Sequence, residues 1–514
     1  MKLSIHNRLL LLLSFIEGGS LMAVELMSAR MLAPYFGSSL FVWATVLAVT
    51  LGGLTLGYFL GGIISQKDQR DKILLTTLLF CGMLIMCMPF IAQWILGFVH
   101  LLPFKEAVVA AGIVIILPSV ICMGMVSPLV VANLDNSAES SGKRAGMVYA
   151  ISTTGGILFT FLFGFFVIPR FGLILPCIST GLLLGLIPGF LLFKNGWKKP
   201  GLFVFVFLVV MGYHQWQLSI RNDVIQVLYQ KEGILGQVFV ADIPVMHHDS
   251  VQVERTLFVN RIIQTSYNVK DKKFNEHNYF NLTREIVSMF PKGSNMLLLG
   301  LGGGVIAQNG IEQEMNVDAV ELDERIIEVS HRFFGLSDKA TIIQDDARHF
   351  INQSNKKYDL IIFDLFRGEE TPAHVFTAES ISKTRDLLNP GGLVLINSNG
   401  FYKNSIGKGN RSLYKTIRAS GMFTELYNTD SLQENSNMIY VFSNTIESFE
   451  DHVPDYVRDN FIPSDSIDIK DAIILTDQRP VLDYLNEEAT LYWRTGYLNY
   501  MRAFYKSKHI PLFI

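Results

Sequence analysis

The sequence predicts two architectures in one chain: an N-terminal all-α polytopic membrane domain of about seven helices, then an α/β Rossmann-like fold preceded by a small β-subdomain. Three observations predict it. Apolar runs long enough to cross about 30 Å of hydrocarbon recur up to residue 217. Beyond residue 290, short apolar runs alternate with helical stretches, the signature of a parallel, doubly wound sheet. One of those runs, Met296-Leu-Leu-Leu-Gly300-Leu-Gly302-Gly303-Gly304, breaks into glycines, and Glu321 stands about 20 residues on, at the end of the next run. The expected domains are 1–217, 218–290, 291–450 and a C-terminal extension, 451–514, packing on the third.

Charge divides at the same place. Residues 1–200 hold 13 Lys+Arg against 7 Asp+Glu, a balance of +6, which leaves 30 against 39, or −9, for the remainder. An acidic second half excludes nucleic acid as its partner, because phosphate binding needs a positive surface. It suits a small cationic or zwitterionic substrate. Cys81, Cys87, Cys122 and Cys177 all lie in apolar segments. They have neither the short paired spacing nor the histidine partners of a zinc site, so they read as packing residues, and neither a disulfide framework nor a metal is expected.

In the first half the apolar runs fall near 9–33, 40–64, 73–98, 107–134, 145–168 and 172–193, with a shorter seventh near 201–217. The first reads as a retained helix rather than a signal peptide, since Glu17 and Glu25 interrupt it and no small-residue cleavage site follows. Lys67, Arg70 and Lys72, then Lys143 and Arg144, then Lys194, Lys198 and Lys199 cluster in alternate connections, which places those connections on the cytoplasmic side of a cell membrane. Seven full spans would then put the second half outside, whereas its chemistry calls for the cytoplasm. The seventh run, short and ending in Tyr213, His214 and Trp216, is expected to lie at the interface or to span only in part.

Glu17, Glu25 and Arg30 are ionisable groups in or at the end of the first run, and such groups at bilayer depth are candidates for function. Eight residues put the two glutamates about 80° apart on a helix, near one face, whereas Arg30 lies about 140° from Glu25. A structural ion pair between helices, or a protonated glutamate near the surface, competes with a substrate-contacting role. The Gly52-Gly53…Gly57…Gly61-Gly62 spacing reads as close helix packing.

The second half opens with strand-like pieces at 236–242 and 251–259. Strands are then expected at Met296–Gly300, Val317–Leu322, Ala340–Ile343, Tyr358–Phe363 and Gly392–Ile396, with helices at Glu324–Phe334 and Ser380–Leu388, and edge strands at Phe423–Tyr427 and Met438–Phe442. Ligands of such sheets bind beyond the carboxyl ends of the strands. Gly300, Gly302 and Gly304, then Glu321, Asp346 and Asp364, fall at four successive strand ends and mark a nucleoside site, while Asp323 reads as a helix cap. A dinucleotide loop would need glycine where Val305 stands.

From about 230 to 400 the chain resembles the spermidine synthase family of aminopropyltransferases in its membrane-fused form. The resemblance runs through Gly236-Gln237, Phe258-Val-Asn-Arg-Ile-Ile-Gln264, Leu298–Gly304, Val320–Asp323, Asp346-Ala347, Tyr358–Asp364 and Phe376-Thr-Ala-Glu379. Glu25, Arg30, Phe36-Gly37-Ser38-Ser39 and the late Leu475-Thr-Asp477…Pro480 resemble the fused forms. The resemblance implies a fold of the S-adenosylmethionine methyltransferase type, with Glu321 on the donor ribose, Asp346 and Ala347 near the adenine, Gln264 beside the donor, and Asp364 as the catalytic carboxylate. It implies decarboxylated S-adenosylmethionine or S-adenosylmethionine as donor, a small amine or polyamine as acceptor, and a homo-oligomer.

The chain departs from the family pattern where Val305 replaces an acid of the glycine loop and Arg367 replaces a second acid after Asp364, with Glu369 or Glu370 nearby. Thr283-Arg284-Glu285 stands where the family shows Tyr-His-Glu. Gln237, Arg284, Arg367 and Glu370 are therefore the candidate substrate contacts, the arginines suited to a carboxylate. Two other readings stand beside aminopropyl transfer: a methyltransferase or related enzyme using intact S-adenosylmethionine, and a transporter or sensor that binds without turnover.

Overall fold

The structure, a computed structural model, describes residues 5–507 apart from 38–39, 100–101, 135–140, 234, 248–249, 272, 275–277, 367–371, 430–435, 446–457 and 459. The chain forms two compact units: Met1–Ile225 with Lys231–Gln237 and Met501–Ile514, and Gln226–Gln230 with Val238–Tyr500.

The first unit is helical: α1 (Ile5–Phe36), α2 (Leu40–Ile64), α3 (Arg70–Leu96), α4 (Phe104–Asn133), α5 (Ser141–Leu162), which passes through a π-turn into α6 (Ile168–Phe171), then α7 (Ile174–Lys194) and α8 (Lys199–Val224). Among the described residues, seven stretches are long and apolar enough to cross a membrane. The seventh is the shortest of them, as expected: it runs over 20 residues from Pro200 to Ser219, reaching past the expected end because the helix continues through the polar residues after Trp216.

Glycines set the closest approaches. On α1 and α5, a Cβ added at Gly18 would fall 2.1 Å from the Ser152 carbonyl oxygen, and one at Gly155 would fall 2.1 Å from that of Phe15. Gly57 and Gly61 of α2 meet the backbone of α4 and Gly53 its Val120 side chain, while Gly52 and Gly62 face open space, so three of these five glycines are used for packing. The four cysteines are free, with Cys81 and Cys177 buried among the helices.

The second unit holds two sheets. The smaller is a five-stranded meander in the order β1 to β5: Gln226–Lys231, Val238–His247, Ser250–Val259, Ile262–Asn268 and Lys273–Phe274. Helix α9 (Asn278–Ser288) follows. The larger sheet comprises β6 (Asn295–Leu299), β7 (Asn316–Glu321), β8 (Thr341–Gln344), β9 (Tyr358–Phe363), β10 (Leu388–Gly400), β11 (Phe423–Asn428), β12 (Ser436–Ser443) and β13 (Phe461–Ile462). Their order is β13-β11-β12-β10-β9-β6-β7-β8. The run from β10 to β8 is parallel; β12 then pairs antiparallel with β10, and β11 with β12. The segment expected as an edge strand at Met438–Phe442 is thus internal, inserted between β10 and β11.

Helices cover both faces, as the parallel strands demand by being apolar on both sides. On one face, Leu298, Leu360 and Ile362 pack with Ile286 of α9, Ile306 of α10 (Val305–Glu312) and Val329 of α11 (Glu324–Phe334). On the other, Leu297, Ile361 and Phe363 pack with Ile351 of α12 (Ala347–Gln353), Ile381 of α13 (Ala378–Asp386) and Leu413 of α14 (Lys408–Ala419). Two further helices, α15 (Leu482–Leu485) and α16 (Glu487–Ser507), close the chain.

Candidate active site

The chain leaves β6 toward β7 and β8 on one side and returns to β9 and β10 on the other, so the switch in strand order lies between β6 and β9. Gly300 and Asp364 follow those two strands and meet there. The Asp364 N–H donates to the Leu299 carbonyl at 2.8 Å. Gly300 has φ 91°, and a Cβ on it would fall 2.1 Å from the Asp364 carbonyl oxygen. Glycine is required on both counts.

The small sheet closes over this turn. Thr265 on β4 accepts the Gly303 N–H at 3.1 Å, and a Cβ on Gly303 would reach 2.6 Å from the threonine methyl. The register of β3 on β4 shifts at this point, Leu257 facing Thr265 and Phe258 facing Ile263, which leaves Gln264 as the extra residue of a β-bulge. A bulge re-aims a side chain; here it is the expected donor-side glutamine, whose Nε2 donates to its own strand at Ile262, 3.4 Å.

Glu321 ends β7. Its Oε2 accepts the Leu301 N–H of the glycine turn at 3.1 Å and its Oε1 that of Asp323 at 2.8 Å. A carboxylate offers about four lone-pair sites, so capacity for a hydroxyl donor remains after its backbone bonds. Burial raises the Glu321 pKa to about 7 against those backbone bonds. Asp323 caps α11, as expected, accepting from the Arg325 N–H at 3.0 Å. Asp346 is also a cap: its Oδ1 accepts the N–H groups of Arg348 and His349 on α12, while Oδ2 lies 3.3 Å from the His374 imidazole. Ala347 is buried behind it.

Asp364 is half-buried, and burial raises its pKa to about 6. Its Oδ1 accepts from the Asn397 side chain of β10 at 2.9 Å, and the Asn397 Oδ1 in turn accepts from the Asn437 side chain of β12 at 2.8 Å. That relay fixes the carboxylate without neutralising it. Tyr279 of α9 lies within reach of its charge, and the phenol's pKa is pushed up first by its own burial and then by Asp364. Sequence reading missed Thr265, Tyr279, Asn397 and Asn437.

Arg284 is exposed on α9 and donates to Asn281 at 2.9 Å, about 140° around the helix from Tyr279. Gln237 is buried and donates to Glu232. Arg367, Glu369 and Glu370 lie outside the described residues, as do Ser38 and Ser39. Val305 is buried in the first turn of α10. Asp477 docks on the Phe376–Glu379 segment and on α12: it accepts from Thr377 at 2.6 Å and from Arg348 at 2.7 Å, and its N–H donates to Glu379. In the helical unit, Glu17 is buried, and Glu25 and Arg30 are partly exposed. Among the described residues, no cluster of three or more His, Cys, Asp or Glu is arranged to hold a metal.

The sheet order is that of a Rossmann-like domain, and the candidate site lies at its switch point. Residues 286–417 match the spermine/spermidine synthase domain, and the chain carries a domain of that family. The chain is 29% identical over 168 residues to the polyamine aminopropyltransferase of Vibrio vulnificus strain CMCP6, covering 31% of this chain and 54% of that one. It is 35% identical over 113 residues to the N-terminal histidine N-methyltransferase of Emericella nidulans, 21% of this chain and 20% of that one. Polyamine aminopropyltransferase 2 of Aquifex aeolicus is 23% identical over 441 residues, 80% of this chain and 82% of that protein. This last match is too long for the second unit alone and so extends into the helical half. The chain spans about half the length of the Vibrio protein, 54%, and a fifth of the Emericella one.

Proposed function

We propose that the chain is a multi-pass membrane aminopropyltransferase that moves an aminopropyl group from decarboxylated S-adenosylmethionine to a small amine or polyamine and releases methylthioadenosine. The observation that carries this reading is Asp364, held by the Asn397–Asn437 relay at the switch point, against the glycine turn of a domain of the spermine/spermidine synthase family.

The acceptor amine attacks the carbon bonded to the sulfonium. A C–N bond forms, the C–S bond breaks with its electron pair going to sulfur, and the neutral thioether leaves. The attacking nitrogen sheds a proton, for which Asp364 is the base within the site. As an anion, Asp364 also draws a cationic acceptor toward the carbon under attack. Glu321 takes the donor ribose hydroxyls on its free lone pairs. Gln264 and Thr265 close the donor side, and Asp346 with Ala347 flanks the base. Tyr279 lines the acceptor side opposite Asp364.

One observation favours a second reading, an enzyme of intact S-adenosylmethionine. Val305 puts an apolar side chain in the first turn of α10, where the family's acid would select the amine of the decarboxylated donor. Calorimetric binding of the two donors to detergent-purified protein separates the readings. Preference for the decarboxylated donor by about tenfold or more supports aminopropyl transfer, and preference for the intact donor overturns it.

A further inference from the structure

Glu17 sits on α1 at 3% exposure, in a helix long and apolar enough to cross a membrane. Among the described residues its one hydrogen bond is from Ser152 of α5, long at 3.3 Å. Among the described residues, no Lys, Arg or His forms an ion pair with it. One helical turn on, the Ser20 hydroxyl is fully buried and has no hydrogen-bond partner. Tyr58 of α2 lies within electrostatic range of Glu17, and its ring meets that of Tyr149 on α5 edge to face at 6.4 Å. Tyr58 is 37% exposed and Tyr149 48%, against 3% for Glu17, so the rings reach the surface of the unit and the carboxyl does not.

These groups are acceptors and aromatic faces in want of a cation. An unpaired carboxylate at this depth is costly, and a buried hydroxyl without a partner adds to the cost. A single proton on Glu17 would neutralise the carboxyl and leave Ser20 unsatisfied. A divalent metal takes six or more oxygens, and one carboxylate with two hydroxyls falls short. An ammonium group brings three N–H donors, matching the Glu17, Ser20 and Ser152 oxygens, and its alkyl stem is suited to the faces of Tyr58 and Tyr149.

We propose that the helical unit contains a binding site for an organic ammonium group, with Glu17 as counter-ion, Ser20 and Ser152 as further acceptors, and the Tyr58–Tyr149 pair at its mouth. The site does not depend on the transfer reading. A free amine and the headgroup of an aminophospholipid share this chemistry.

The test is equilibrium binding of radiolabelled spermidine to the detergent-purified full chain carrying Asp364→Asn, with and without Glu17→Gln. The expected result is a saturable component that methylammonium displaces and equal sodium does not. Glu17→Gln weakens it roughly tenfold to a hundredfold, the range for one charge-assisted contact. Ser20→Ala weakens it less and serves alone if Glu17→Gln is not monodisperse. Competition by phosphatidylethanolamine in mixed micelles identifies the lipid source; its absence identifies the free amine. Unchanged affinity in a folded Glu17→Gln or Ser20→Ala protein, or equal displacement by sodium, overturns the proposal.

Discussion

Asp364 must be ionised to work, yet it stands where ionisation is disfavoured. Burial lifts its pKa from 3.8 to about 6, so the folded state holds its proton more tightly than the unfolded chain does. By linkage, this carboxyl costs stability increasingly as pH rises from about 4 to 6, and the full cost persists at neutrality. Asp364→Asn keeps the oxygen that accepts from Asn397 and removes the charge. It is expected to lower kcat by roughly 10²–10⁴-fold while raising unfolding stability at pH 7 by about 1–3 kcal/mol. Turnover and thermal-shift assays on the same preparation check both, and lower stability with activity intact would contradict the assignment. The acid limb of kcat/KM should fall below about pH 6. Donor affinity should weaken below about pH 7, where Glu321 takes up its proton. An affinity flat from pH 5.5 to about 8 would remove Glu321 from the donor site.

Elements bring these residues together, and the glycines decide whether they can. Gly300→Ala drives a Cβ into the backbone of Asp364, which cannot give way as a side chain can. A cost of about 2–4 kcal/mol or failure to bind donor is expected, read by denaturation and by donor titration. At Gly303 the obstacle is the Thr265 side chain, so Gly303→Ala should be milder and partly rescued by Thr265→Ser. Most of these elements were legible in the sequence. Strands β6, β7 and β9 and helix α11 follow from alternating apolar runs, and the glycine turn announces itself because few other residues adopt its φ values. Asn397, Asn437 and Tyr279 were not legible. Asn437 reaches the site only because β12 inserts antiparallel beside β10, a register that no local pattern encodes. Asp346 shows the opposite difficulty: one side chain serves as helix cap and site candidate, and strand-end position alone does not separate the two.

At the scale of the whole molecule, the seven apolar stretches were legible by length, and the reach of α8 was not, since polar residues continue its helix past the apolar run. If the basic connections face the cytoplasm and all seven stretches cross, the second unit lies outside. We expect it in the cytoplasm, with α8 failing to cross, because that helix has the lowest mean hydropathy of the seven, 1.4. A cysteine placed at Asp465, in a protein whose native cysteines are replaced, should react with an impermeant maleimide only in inside-out vesicles; reaction in right-side-out vesicles would show that α8 crosses. Aminopropyl transfer at Asp364 is tested by mass spectrometry of the products. The purified chain is incubated with decarboxylated S-adenosylmethionine carrying carbon-13 in its aminopropyl group, with putrescine or spermidine, beside Asp364→Asn. Methylthioadenosine and a labelled, extended polyamine are expected from the unaltered protein, and neither from Asp364→Asn. S-adenosylhomocysteine formed from the intact donor, with no label passing to an amine from the decarboxylated one, would contradict aminopropyl transfer.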